Sequence, residues 1–381
     1  MESVPHHGRA CPAAGAGARE TRTPRVGRGT AVIPPNHDDA LLTQALRDGG
    51  AAGGAALAPR CAAPAPARHH DNLIGIVGAT GTGKTDFSVE VAIRYRELGV
   101  TAEIVNADAM QLYRGMDIGT AKIPVADRHD IPHHQLDVLD VTERSTAATY
   151  RARARADIDN IIGRGNVAIL VGGSGLYISA VLHDLDFPAT DPDLRAELER
   201  DHQKLGPDDL LARLHALDPV ASARIDRRNP RQLIRSLEIA IRSGQSVPSL
   251  PPAPHVWRGY RAVHLRRDRE QLFPALHARA ERMFRDGLLD EVDRLRQQGL
   301  EAGQTASTAH GYPQAIAVLD RRCSIEDAVT STTRVTKNYS RRQVRWFARY
   351  ADAEVLDVTG SDRQRLAELA RRFVRTPAET A

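Results

Sequence analysis

Cysteine is scarce in this chain of 381 residues: Cys11, Cys61 and Cys323 stand far apart, without CxxC or Cys/His spacing. That pattern indicates neither a disulfide framework nor a zinc site and points to a reducing, cytoplasmic setting. No run of about eighteen or more apolar residues occurs, so no membrane span is expected, and the N-terminus lacks the apolar stretch of a secretory signal. Large apolar residues are also few over residues 1–70, which are dominated by Ala, Pro, Gly, Arg and His and end in APRCAAPAPARHH. Such a segment cannot bury enough surface to offset its ordering entropy, and a disordered extension is expected there. Acids at Glu2, Glu20, Asp38 and Asp39 argue against a transit peptide.

What is present begins at Asn72. The 41% hydrophobic residues suffice for a sizeable core. LIGIV, AEIVNAD and NVAILVGG read as buried strands and KTDFSVEVAIRYREL as a helix, so an α/β fold with a parallel sheet follows. Residues 71–187 form its first part. From 188 to 229 the pattern turns helical, with Asp caps before DPDLRAELERDHQKLG and DDLLARLHALDPVASARI, and reads as an inserted helical subdomain. A Pro-rich break at Ser246–Pro254 precedes a strand-like YRAVHL and a helical stretch from Arg269 to Gln298. The second part of the core runs over 230–360, and 361–381 supplies a C-terminal helix and tail.

Gly78, Ala79, Thr80, Gly81, Thr82, Gly83, Lys84 and Thr85 fit G-x-x-x-x-G-K-[ST] between an apolar strand and a helix. Backbone amides of such a loop converge on phosphate oxygens, Lys84 offsets their charge, and the Thr85 hydroxyl is a candidate Mg²⁺ ligand. An ordinary ATPase or kinase would add an apolar strand ending in a carboxylate. VAILVGG ends in Gly172-Gly173 instead, and the best carboxylate is Asp108, just beyond AEIVNAD. Ligands gather at the carboxyl ends of parallel strands, which brings Asp108 within reach of the loop.

Charge carries a second signal. The net charge of +4 is modest, but the pI is near 9.1. TRVTKNYSRRQVRWFARY, Thr333 to Tyr350, concentrates cations among Tyr339, Trp346, Phe347 and Tyr350, although aromatic residues make up only 4% of the chain. That mixture suits nucleic acid, and it equally suits an amphipathic helix with an aromatic core face. The pair His133-His134 invites a metal reading, yet adjacent side chains on an extended segment point to opposite sides.

The sequence QLYRGMDIGTAK after Asp108, then IPHHQLDVLD and LVGGSGLY, all downstream of GATGTGKT, resembles the tRNA dimethylallyltransferase (tRNA isopentenyltransferase) family. The similarity continues through DPDLRAELE, LDPVASARI, NPRQLIRSLEI, GLLDEV and RRQVRWF, covering about residues 72 to 350. The resemblance implies a P-loop NTPase-like sheet with helices on both faces. It also implies transfer of a dimethylallyl group from dimethylallyl diphosphate to the exocyclic amine of the tRNA adenosine 3′ of the anticodon, with Mg²⁺, by a cytoplasmic monomer.

By the same resemblance Asp108 is the base, with Lys84 and Ser174 beside it as catalytic residues. RNA contacts fall on Asp108, Ala109, Met110, Gln111, Ser174, Arg195, the run Arg231, Gln232, Leu233, Ile234 and Arg235, the segment Thr308 to Pro313, and the segment Arg341 to Ala348 with Arg341, Arg342 and Arg345. This chain departs from the common family pattern at Ala109, Ser174, Thr308, Pro313, Lys337 and Ala348. Other readings keep the loop but change its use: a P-loop kinase, a prenyltransferase for free adenine nucleotides, or an RNA-binding module without catalysis.

Overall fold

Strand β1 (Leu73–Gly78) is buried at every position, which explains why LIGIVG carries apolar side chains without alternation. In this computed structural model, which describes residues 72–227, 229–244, 255–350 and 352–374, β1 pairs in parallel with β4 (Val167–Gly172) and β5 (Arg261–Arg266). Strand β2 (Ala102–Asn106) lies beyond β4. Two short strands close the edges, β3 (His133–His134) and β6 (Glu354–Asp357), giving the order β3-β2-β4-β1-β5-β6, parallel throughout. The disorder expected over residues 1–70 and the Pro-rich break at Ser246–Pro254 lie outside the described residues.

One face of the sheet presents Ile74, Ile76, Ile104, Ile169, Val171, Val263 and Leu265. Against it pack Phe87, Val91 and Ala92 of α1 (Lys84–Glu97) and Leu366, Leu369 and Phe373 of α12 (Arg363–Phe373). The alternate residues Leu73, Val77, Val105, Ala168 and Leu170 are fully buried as well, so both faces are covered, as a parallel sheet requires. Helix α2 (Ala147–Gly163) starts at a capping box formed by Thr146 and Thr149, and α3 (Gly175–Leu182) follows β4. The chain leaves β1 toward β2 on one side, and after β4 it returns to β5 on the other. A crevice therefore opens at the carboxyl ends of β1 and β4.

The helical stretch expected from Arg269 to Gln298 is two helices, α8 (Arg269–Arg285) and α9 (Leu288–Gln297). Gly287 between them has φ 107°, a left-handed conformation that ends one helix and admits a turn before the next. Helices α10 (Tyr312–Leu319) and α11 (Ile325–Phe347) complete this unit.

A second compact unit spans Leu182–Trp257. Its helices are α4 (Pro192–Leu205), α5 (Pro207–Leu217), α6 (Pro219–Arg224) and α7 (Pro230–Ser243). Three of them start at an Asp-Pro or Asn-Pro pair: Asp191, Asp218 and Asn229 accept backbone N–H bonds from the first turn while proline fills its first position. The unit extends beyond the expected 188–229 because α7 contributes Leu233, Ile234, Leu237 and Ala240 to the core formed with Leu198, Leu210 and Leu214.

Candidate active site

The loop from Gly78 to Thr85 joins β1 to α1, and Gly83 caps the helix with φ 81°, a conformation that costs a glycine little. Lys84 Nζ donates to the Ala79 carbonyl at 2.8 Å, and Thr82 Oγ1 donates to the same oxygen at 2.9 Å. Burial lowers the Lys84 pKa to about 8; the nearby Asp108 carboxylate raises it and Arg279 lowers it further. An anion arriving here restores a full charge on Lys84. The Thr85 hydroxyl stands at the N-terminus of α1, half-buried. Among the described residues no group of three or more His, Cys, Asp or Glu side chains could hold a metal. One hydroxyl beside a phosphate-binding loop fits Mg²⁺, which takes most of its ligands from phosphate and water.

Asp108 sits at the carboxyl end of β2. Its Oδ1 accepts the Met110 N–H at 2.9 Å, and its own N–H donates to Asn106 Oδ1 at 3.3 Å. Tyr150 Oη donates to the Asn106 carbonyl at 2.7 Å, securing the strand end from α2. Ser174, just after β4, accepts the Ala109 N–H on its hydroxyl at 3.1 Å. Ser174 therefore fastens the turn that carries Asp108. Ala109 is buried, while Asp108, Met110 and Gln111 are half-buried. The Gln111 amide donates to the Thr120 carbonyl at 3.2 Å.

Two residues that the sequence does not assign to the phosphate loop lie at this site. Arg279 on α8 donates to the Thr120 carbonyl at 3.2 Å; burial lowers its pKa and Asp108 raises it. It is a second cation beside Asp108 and Lys84. Gln343 on α11, only 3% exposed, accepts the Thr80 N–H at 2.8 Å and donates to the Gly173 carbonyl at 2.7 Å. Neither stands out in sequence, since one is an arginine among many and the other a glutamine between arginines. His264 and His310 are held neutral nearby: burial lowers both to a pKa of about 4, with Arg266 and Lys84 acting on the first and Arg342 and Arg279 on the second.

The motifs around the site are scaffolding. Glu291, in GLLDEV, accepts the Asp117, Ile118 and Gly119 N–H groups at 3.0, 2.7 and 3.2 Å and so holds MDIGTAK from α9. Lys122 of the same motif pairs with Asp117 at 2.7 Å and Asp137 at 2.5 Å. His134 shares a hydrogen bond with Glu103 at 2.8 Å, whereas His133 bonds the Ile131 carbonyl at 2.7 Å. Burial would raise the Glu103 pKa, but Arg164, His134 and Asn166 outweigh it and hold the carboxyl below its ordinary value. The histidine pair thus serves the edge of the sheet.

The expected RNA contacts divide. Arg341 and Arg345 are exposed on α11, four residues apart and so on one helical face. The Arg341 guanidinium lies over the Phe273 ring at 5.1 Å. Arg342 is half-buried and lies over Tyr339 at 5.5 Å. In the helical unit, the run Arg231–Arg235 cannot share one face, because five successive helical residues span more than a turn. Arg231 is exposed, whereas Gln232, Leu233 and Ile234, expected among the RNA contacts, are buried, Leu233 and Ile234 in the core of the unit. Arg195 and Arg235 pair with Glu238, the Arg235 contact being 2.9 Å, and Glu238 is fully buried. The Arg195 guanidinium ties α4 to α7, whereas Arg235, paired with Glu238 within α7, also donates to the Pro188 and Ala189 carbonyls ahead of α4.

Comparison with known proteins follows the same lines. Residues 111–350 match the model of a family described as IPP transferase. The chain is 52% identical over 285 residues to a tRNA dimethylallyltransferase of Clavibacter sepedonicus, covering 75% of this chain and 93% of that protein. It is 45% identical to one of Mycobacterium tuberculosis, with coverage of 79% and 98%. Among solved structures, a tRNA isopentenylpyrophosphate transferase from Bacillus halodurans superposes with a TM-score of 0.57 at 33% identity, over 80% of this chain and 96% of that one. A eukaryotic dimethylallyltransferase acting on tRNA shares the fold, with a TM-score of 0.63 at 24% identity over 75% and 74%.

Proposed function

The chain belongs to the tRNA dimethylallyltransferase family, and from that premise we infer that it transfers a dimethylallyl group from dimethylallyl diphosphate to the exocyclic amine of the adenosine 3′ of the anticodon in tRNA. The observation that carries the reading is the juxtaposition of the phosphate loop after β1 with the carboxylate of Asp108 at the end of β2, across β4. Asp108 acts electrostatically on Lys84 and Arg279, yet no carboxylate ends β4, where an ATPase would place one.

The amine nitrogen attacks the first carbon of the allyl group, the carbon–oxygen bond breaks, and its electron pair leaves on the diphosphate. Asp108 orients the amine and accepts its proton; Oδ1 is occupied by the Met110 N–H, which fixes the carboxylate. Lys84, Arg279 and the loop amides stabilise charge that grows on the leaving group. Mg²⁺, held through Thr85 and the diphosphate, would supply further neutralisation of that charge. Ser174 keeps the Asp108 turn in register with β4. The adenine has to leave its stack, which costs a few kcal/mol that phosphate contacts along Arg341, Arg345 and Arg231 help offset.

No helix among the described residues is long and apolar enough to cross a membrane, and a tRNA acceptor agrees with action in the cytoplasm. Incubation with tRNA, Mg²⁺ and dimethylallyl diphosphate, followed by nucleoside mass spectrometry, tests donor, acceptor and reaction together. The expected product is adenosine carrying one dimethylallyl group; tRNA-stimulated ATP turnover without that nucleoside would point to a kinase or ATPase instead.

A further inference from the structure

The Ala79–Thr80 peptide is gripped at both ends. Its carbonyl accepts Lys84 Nζ at 2.8 Å, and its N–H donates to Gln343 Oε1 at 2.8 Å. In a planar trans peptide the C=O and N–H point in opposite directions, so a residue that fixes one fixes the other. Gln343 is in turn tied to the Gly173 carbonyl at 2.7 Å. A Cβ on Gly173 would lie 2.4 Å from Gln343 Nε2, so the glycine makes room for this amide. Two residues in either direction along α11, about 200° around the helix, Arg341 and Arg345 face solvent while Gln343 is buried.

Building on the transferase reading above, we propose that Gln343 is a positioning residue for the donor: it locks the Ala79–Thr80 peptide so that the carbonyl faces Lys84 rather than the incoming diphosphate. A carbonyl oxygen turned into the loop would repel phosphate oxygens and withdraw an anchor from Lys84. The helix does not depend on the amide for its seat. Trp346 Nε1 donates to Ser179 Oγ at 3.2 Å, and Phe347 is fully buried.

The test compares wild type, Gln343→Met, Gly173→Ala and the double variant in steady-state prenylation of tRNA, with melting temperatures alongside. Gln343→Met keeps the volume and loses both hydrogen bonds. The expected result is an increase of about tenfold in KM for dimethylallyl diphosphate, with KM for tRNA and the salt dependence of tRNA binding within about twofold of wild type. Gly173→Ala displaces the same amide without altering α11, so it should reproduce the donor defect even if Gln343→Met fails to fold. The double variant should be no worse than the poorer single one, because a shared contact is lost once. Unchanged donor KM in a folded variant, or equal losses for donor and tRNA, would overturn the proposal. A wild-type protein that transfers no dimethylallyl group would instead overturn the functional reading and the proposal with it.

Discussion

Tyr312 donates its hydroxyl to Glu291 Oε1 at 2.6 Å, and the same carboxylate collects three successive backbone N–H groups from Asp117 to Gly119. Burial and the neighbouring carboxylate push the Tyr312 pKa well above its ordinary value, so the phenol stays a donor. Glu291→Ala should leave these groups unpaired and cost about 3–5 kcal/mol of stability. Chemical denaturation measures it. A loss under about 1 kcal/mol would mean that water replaces the carboxylate.

Asp108→Ala should lower single-turnover prenylation by about 10²-fold or more, since orientation and proton acceptance go together. The melting temperature should change little, as Asp108 is half-buried and caps only one local turn. Wild-type turnover at saturating substrates would reduce Asp108 to a turn residue.

Lys84 sets a pH dependence on the donor side. Its pKa is held at about 8, mainly by burial, and a bound diphosphate raises it. Donor affinity should therefore be complete below about pH 8 and fall as pH rises past that value. Lys84→Met should weaken donor binding and flatten the profile above neutral pH, as followed by donor KM across pH 6 to 10. An unchanged slope would assign the dependence to another group.

Arg341→Ala with Arg345→Ala should reduce the salt dependence of tRNA binding. Each lost phosphate contact lowers the slope of log K against log salt by about 0.7 to 0.9. Filter binding over a salt series is the measurement, and equal slopes would make this face of α11 structural.

Arg195→Ala and Arg231→Ala should separate. The first leaves the buried Glu238 short of a partner and should lower stability by about 3 kcal/mol, whereas the second, at an exposed residue, should lower RNA affinity more than stability. Burial raises the Glu238 pKa, but the Asp191 N–H with Arg235 and Arg195 outweighs it and holds the carboxyl below its ordinary value. Its stabilisation is thus complete above the ordinary carboxylate range and lost as pH falls through the lowered pKa. Acid unfolding of the Arg195 variant should begin at higher pH than wild type.

Much of this protein was determined by sequence alone because the deciding forces act over short stretches. The unbroken apolar run of β1, the glycines and Lys84 of the loop and the Asp-Pro helix starts each state a backbone conformation within a few residues. The fold class and the placement of Asp108 at a strand end followed from that local information. The Gly287 break was written locally too, but the helical pattern on both sides hid it. Tertiary structure decided which charged side chains are available. It turned Arg195 and Arg235 inward to Glu238, left Arg231, Arg341 and Arg345 outward, and brought Arg279 and Gln343 to a loop some 200 residues or more earlier in the chain. An arginine's identity does not reveal whether a buried carboxylate or a solvent-facing phosphate is its partner; that depends on which helix face the core has already claimed for apolar packing.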